Sequence, residues 1–454
     1  ASPLVTVAPT ATLEDAARVM ANQGVSSVVV DGVEPGIVTE RDVVEAVARD
    51  GARGLAEPVG GIATRPVHGV PADAFVYVAL GRMARLGFRH LLAFDEAGRP
   101  VGMVTARALL KQGAGRALVL GDEIAAAHGA VDLRRVRDAL PALARGLLAE
   151  GLGARAIAAV ISAVYRDMTG RAAALAAQAL EAEGRGPAPG AWCCLVLGSA
   201  GRGESLLAAD QDNALIHEGG ADDSWFAALG ERIAATLDAA GLPLCRGGIM
   251  AARPAWRDTP AGWRDRIAGW VARAAGETVV AVDIFYDFAA VAGDARLADD
   301  LRVEAMRAAR SPMLRKMLAL ELHGFTAPIG LLGRLGTEQG RLDLKPNGLH
   351  PIVAGARVLA LGHGIAATAT AERLALAHRA GAIEEADLAP VVQAHERFLR
   401  LVLEQQIADL AAGVPPSNTV AIARLTPYAL DGLKDALRHA ASFADTVMDR
   451  VRFG

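Results

Sequence analysis

The first ~112 residues repeat one pattern of apolar and polar positions. "SSVVVDGVEPGIVTERDVV" and "RHLLAFDEAGRPVGMVTARAL" each run from an apolar strand through a turn into Gly-apolar-Val-Thr and then a helix. Gly36-Ile37-Val38-Thr39 matches Gly102-Met103-Val104-Thr105, an offset of 66 residues. Helical stretches precede both, "TLEDAARVMANQG" and "DAFVYVALGRMARLG". Thr12 and Asp73 suit their N-caps, Gly24 and Gly87 their C-caps. A unit of about 60 residues buries too little apolar surface alone, so the two copies are expected to pack together.

From about 120 to 185 the period becomes helical. Leu133, Val136, Leu140, Leu143 and Leu147 are spaced 3, 4, 3 and 4, with Pro141 expected to interrupt or kink the run. A second helix is expected over roughly 154–183, then a loop at "GRGPAPG" and a short buried strand from Trp192 to Leu197. Helical patterns dominate from about 300 onward, including an amphipathic stretch carrying Phe398, Leu399, Val402 and Leu403.

The strand at 192–197 leads into "GSAGRGESLLAADQDNALI". If a strand begins at "DQDNALIH", Asp210 and Asp212 share one face and Gln211 points away. Two carboxylates so close raise each other's pKa unless a cation sits between them. Magnesium prefers hard oxygen ligands and keeps positions open for phosphate. The small residues Gly198 and Ser199 let backbone N–H groups approach a phosphate, and Arg202 adds a forked donor. These parts suit in-line attack on the α-phosphate of a nucleoside triphosphate. Glu204 is placed with this phosphate-binding group, either orienting Arg202 or capping a helix. "ETVVAVDIFYDF" reads as a later strand with Asp283 and Asp287 on one face.

Composition narrows the picture. At 454 residues the chain is expected to hold about three domains. It is 52% hydrophobic and 22% charged, which excludes disordered and collagen-like classes. A net charge of −4 offers no global basic field for nucleic acid. Only four lysines occur, Lys111, Lys316, Lys345 and Lys434, so positive charge is nearly all Arg. Cys193, Cys194 and Cys245 form no C-x-x-C, and a reducing, cytoplasmic compartment is expected. No apolar run reaches membrane-spanning length and no signal peptide is seen. The chain begins with Ala and enters a structured pattern almost at once, as a piece cut from a longer protein would. No His-Asp dipeptide and no P-loop Gly-Lys-Ser/Thr occurs, and His395-Glu396 lacks the second His of a zinc-protease helix.

The β-α-β-β-α repeat ending in Gly-apolar-apolar-Thr resembles the cystathionine-β-synthase (CBS) domain. The resemblance implies a tandem pair binding AMP, ADP or ATP between copies. Its ribose-binding signature is met by Thr39 and Asp42, while Thr105 is followed by Ala108, implying one good nucleotide site. Asp42 also suits a plain helix cap. The strand, Gly-Ser, ten-residue gap and Asp-x-Asp resemble the nucleotidyltransferase superfamily. The G-S-x-G-R-G-E version is similar to the N-terminal domain of protein-PII uridylyltransferase, and more so to CBS-linked bacterial signalling relatives. Segments resembling "PLCRGGIMAARPAWR", "IFYDF" and "LDLKPNGLHPIV" extend the likeness across the chain.

The resemblance implies a metal site of Asp210, Asp212 and a third carboxylate. Periodicity does not choose between Asp283 and Asp287; the family-like "IFYDF" favours Asp287. The expected fold is α/β and α: tandem CBS domains at 1–112 (about 1–55 and 63–112), a nucleotidyltransferase-like mixed sheet with N-terminal helices at 120–295, and a helical substrate-binding bundle at 300–454. The expected activity uses Mg2+ or Mn2+ to move UMP or AMP from UTP or ATP to a protein acceptor, such as one of nitrogen signalling, in a homodimer away from membrane and nucleic acid. A non-catalytic nucleotide-binding regulator is the other reading.

Overall fold

A computed structural model describes residues 4–32, 35–72, 79, 82–83, 90–95, 98–105, 115–219, 223–272, 278–330 and 333–453. The chain divides into two compact units, Ala1–Gly121 and Asp122–Gly454.

In the first unit, β1 (Thr6–Val7) pairs parallel with β2 (Ser27–Val30), which pairs antiparallel with β3 (Gly36–Thr39). The second copy repeats this: β4 (Gly69–Pro71) runs parallel to β5 (His90–Phe94), and β5 antiparallel to β6 (Pro100–Thr105). Helix α1 (Leu13–Gln23) starts at Thr12, whose side chain and Asp15 form a capping box, and ends at Gly24 in the left-handed region. Its buried Leu13, Ala16 and Met20 join Val28, Val30 and Val38 in one core. Ser26 Oγ and His90 Nε2, 2.9 Å apart, tie the two copies together. Most of the helix expected near 73–87, with caps Asp73 and Gly87, lies outside the described residues, as does Ala108.

The second unit is built on a four-stranded mixed sheet, in the order β10 (Ala289–Gly293), β7 (Trp192–Val196), β8 (Asn213–His217), β9 (Arg257–Asp258). Strand β7 lies antiparallel to both β8 and β10; β9 adds parallel to β8. Helix α3 (Ala130–Ala149) buries all five spaced apolar residues and runs unbroken through Pro141. The continuous apolar face offsets the hydrogen bond that proline removes. Helix α4 (Ala154–Leu180) is buried along most of its length and packs on β7, β10 and α3.

The expected strand at "ETVVAVDIFYDF" is not formed. Residues Thr278–Phe285 are a helix, α7, and Asp287 sits in the turn before β10. A short apolar run fits a buried helix as well as a buried strand, and here the tertiary setting decides.

The C-terminal helices include α8 (His350–Gly362), α9 (Thr370–Arg379), α10 (Glu385–Ala411) and α11 (Pro427–Phe453). Phe398, Leu399, Val402 and Leu403 are buried on α10. They belong to the same compact unit as the sheet, since α10 packs against α4 and Glu396 accepts hydrogen bonds from the backbone of Ala154 and Arg155. Among the described residues, no helix is long and apolar enough to cross a membrane.

Candidate functional site

The Gly-Ser segment after β7 forms a single helical turn, Gly198–Arg202. Two close approaches dictate its glycines. Gly198 has φ +58°, and a Cβ there would sit 2.7 Å from Asp212 Oδ2. A Cβ on Gly201 would collide with the carbonyl oxygen of Asp287. From α4, Arg166 donates to the carbonyls of Ala200 (2.6 Å) and Gly201 (2.5 Å), and Ser162 Oγ accepts from Ser205 N. Ser199 Oγ lies 2.9 Å from Ser205 Oγ.

Asp210 and Asp212 precede β8 and line one cavity of about 310 Å³ with Gly198, Ser199, Arg202 and Glu204. Gln211 points the other way and is buried, donating to the carbonyls of Ala234 and Leu242. Burial, then the charge of Asp210, lifts the Asp212 carboxyl to about 6. The Cys245 thiol hydrogen-bonds Asp212; burial first, then that carboxylate, pushes its pKa up to about 12. Ligand atoms of Asp210, Asp212 and Cys245 lie within 4.8 Å of one another. Two carboxylates resisting joint ionisation fit a hard divalent cation, whereas Cys245 stays a thiol at neutral pH and serves as a donor to Asp212.

Asp287 does not join this pair. It is fully buried and lies outside the cavity lining. Arg202 Nη1 (2.6 Å) and Arg357 Nη2 (2.5 Å) donate to its Oδ2, and Arg373 Nη1 lies 2.8 Å from its Oδ1. This carboxylate, expected as a catalytic metal ligand, is the shared counter-ion of three guanidiniums and is not brought together with Asp210 and Asp212 in the cavity lining. Asp283, on α7, faces the cavity instead.

Glu204, expected with the phosphate-binding group, borders the cavity and is engaged by protein donors. Its carboxylate accepts from Arg202 Nε (2.8 Å), from Thr370 N (2.7 Å) and from Thr370 Oγ1 (3.0 Å). A negative, acceptor-only group repels phosphate; here it orients Arg202 and caps α9. Arg202 is held by Glu204 and Asp287 and still borders the cavity.

The C-terminal part supplies Glu321, Lys345, His350, Arg357, His395 and Gln406 to the same lining. Sequence reasoning gave none of them a role. "LDLKPNGLHPIV" contains Lys345 and His350, so the signal was on the page without a site to attach it to.

In the first unit, helix α2 (Glu40–Asp50) begins at Thr39 with a capping box. Asp42 Oδ2 accepts from Thr39 N and Thr39 Oγ1, both at 2.7 Å. The two residues expected at a ribose thus meet at a helix start. Thr105 ends β6 opposite His90.

Comparison with known families matches the CBS domain at residues 1–49 and 59–115, "Putative nucleotidyltransferase DUF294" at 138–277, and "Putative nucleotidyltransferase substrate binding domain" at 312–451. Among curated proteins, an "Uncharacterized 17.7 kDa protein in bps2 3'region" of Acidianus ambivalens is 36% identical over 108 residues, 23% of this chain and 64% of that protein. MK0525 of Methanopyrus kandleri is 34% identical over 111 residues, 24% of this chain and 57% of that protein. The chain therefore spans less than two thirds of either relative. Among solved structures, the CBS-domain protein ATU1752 of Agrobacterium tumefaciens is 29% identical, covering 24% of this chain and 84% of that one, with a TM-score of 0.23. PAE2072 of Pyrobaculum aerophilum, solved with AMP, is also 29% identical, covering 25% and 92%, with a TM-score of 0.22. In domain content the chain matches, in order, a CBS pair, the domain described as "Putative nucleotidyltransferase DUF294" and the one described as "Putative nucleotidyltransferase substrate binding domain".

Proposed function

We propose that residues 122–454 form a metal-dependent nucleotidyltransferase that moves UMP or AMP from a nucleoside triphosphate to a protein acceptor, in the manner of protein-PII uridylyltransferase. The observation that carries this reading is the convergence of Asp210 and Asp212 beside the Gly198-Ser199 turn in one cavity. Magnesium or manganese bound there would neutralise the triphosphate and align its α-phosphate for in-line attack. Asp210 and Asp212 would hold that ion, and Cys245 steadies Asp212 through its thiol hydrogen bond. Arg202, fixed by Glu204, and Lys345 present positive charge to phosphate oxygens. Segment 120–295 serves as the transferase part and 300–454 as the part that grips the acceptor.

The CBS pair is the sensor in this reading. Adenine nucleotide binds at Thr39 and Asp42 in a cytoplasmic homodimer and biases the transferase. The test incubates the protein with Mg2+ and α-labelled ATP or UTP plus a lysate of its source. A labelled protein that disappears with Asp212→Asn supports transfer; no label with either nucleotide overturns it.

A second reading is favoured by one feature. Of the two candidates for a third carboxylate, Asp287 is held by three arginines, while Asp283 lines the cavity but is paired with Arg357. A chain that binds nucleotide and metal without transfer would give tight nucleotide binding and no label.

A further inference from the structure

Asp283, the other candidate for the third carboxylate, has a second set of neighbours. It reaches the cavity from α7. Glu321, in the short helical turn Leu320–Leu322, and His350, the first residue of α8, reach the same cavity. One donor atom from each lies within 4.8 Å of the others. The set shares no residue with Asp210, Asp212 and Cys245, the other such group among the described residues.

We propose that Asp283, Glu321 and His350 form a second cation site, selective for a divalent transition ion such as Zn2+.

The chemistry favours such an ion over Mg2+ or Ca2+. One imidazole nitrogen and two carboxylates is a mixed N/O set, and imidazole suits Zn2+ whereas Mg2+, Ca2+ and Mn2+ take oxygen. Asp283 is buried, and Arg357 Nη1 pairs with its Oδ1, which holds the carboxylate in orientation and leaves the other oxygen for the ion. Glu321 and His350 already meet, Glu321 Oε2 lying 2.9 Å from His350 Nε2. Binding would replace any proton on that nitrogen and release it to solvent.

An independent feature marks the cavity as built to receive a ligand. His395 lines it and is only 1% exposed, yet neither ring nitrogen has a hydrogen-bond partner among the described residues, Glu204 Oε2 being 3.9 Å away. A buried imidazole with no partner is costly unless a ligand supplies one.

The site joins segments far apart in sequence, so an ion there would clamp α7 to α8. It does not depend on the transferase reading, and its test uses metal alone. The full chain, stripped of metal and carrying Asp210→Asn and Asp212→Asn to silence the other group, is titrated with Zn2+ by calorimetry, without nucleotide. One ion per chain is expected, with affinity falling at least about tenfold on adding His350→Ala or Glu321→Gln. Thermal melting of each variant without metal shows whether the fold survives. Because Glu321→Gln preserves shape, it serves if His350→Ala unfolds. No binding in the double-Asn background, or unchanged affinity in a folded His350→Ala or Glu321→Gln variant, overturns the proposal. Nucleotide transfer can succeed or fail in either case without altering this result.

Discussion

Replacing Asp212 by asparagine should stabilise the metal-free protein at neutral pH and destabilise it relative to wild type once metal is added. In the fold, burial first and Asp210 second raise the Asp212 carboxyl from 3.8 to about 6. The folded chain therefore keeps a proton that the unfolded chain releases. Stability from this group is full near pH 4 and falls as pH rises toward 6. A difference of two in pH is worth about 3 kcal/mol at most. The side chain is only half-buried, so solvent screening reduces this to about 1–2 kcal/mol. The asparagine variant has no proton to lose at this position. In EDTA, the variant and wild type should unfold alike near pH 4, and the variant should be the more stable by about 1–2 kcal/mol above pH 7. With excess Mg2+ the order reverses, because only the wild type gains the binding free energy. Metal affinity in the wild type should rise about tenfold per pH unit below 6 and level off above it. Urea unfolding from pH 4 to 8, with and without Mg2+, measures both effects. Parallel stability profiles in EDTA would refute the reasoning about Asp212, and an unchanged order in Mg2+ would refute its role as a ligand.

Asp287→Ala leaves three guanidiniums, two of them fully buried, without their shared carboxylate and should cost about 3–5 kcal/mol by urea unfolding, whereas Asp210→Asn should cost little. Gly198→Ala forces a side chain into a left-handed position against Asp212 Oδ2; melting should show a loss of about 1–2 kcal/mol, and metal titration a weaker site. Asp42→Ala removes the capping box of α2 and should weaken adenine-nucleotide binding about 10- to 150-fold by calorimetry, with one tight site per chain beforehand. If the CBS pair regulates the transferase, saturating adenine nucleotide should shift nucleotide affinity at the Asp210/Asp212 cavity by about 1–3 kcal/mol in wild type and not in Asp42→Ala; equal affinities leave only a dimer-holding role.

The repeat in the first unit was legible because strand, turn and cap signals lie within about 20 residues of each other. Thr12 and Gly24 cap their helix as local chemistry requires. The Asp210/Asp212 pair was legible for the same reason, since two residues flanking Gln211 share a face whatever packs around them. The third carboxylate was not. Asp283 and Asp287 were placed by a strand pattern, while the chain there is helix and turn, and their fates are set by Arg357 and Arg373 some 70–90 residues later. Periodicity carries no information about such partners. The hydrogen bonds of Glu204 to Thr370 are not legible either, because Thr370 is remote in sequence.

The arginine cluster around Asp287 bears on how this protein can be taken apart. Family boundaries invite cutting the chain near residue 300 to obtain a minimal catalytic fragment. Such a fragment keeps Asp210, Asp212 and Asp287 but loses Arg357 and Arg373, two of the three cations that neutralise Asp287. It also strips Glu204 of Thr370 and removes Lys345 and His395 from the cavity wall. The severed piece would carry an exposed acidic turn beneath the Gly-Ser segment and half a cavity. Inactivity of that fragment would report a broken charge balance and say nothing about the chemistry of the intact chain, so the smallest unit on which transfer can be fairly judged spans residues 122–454.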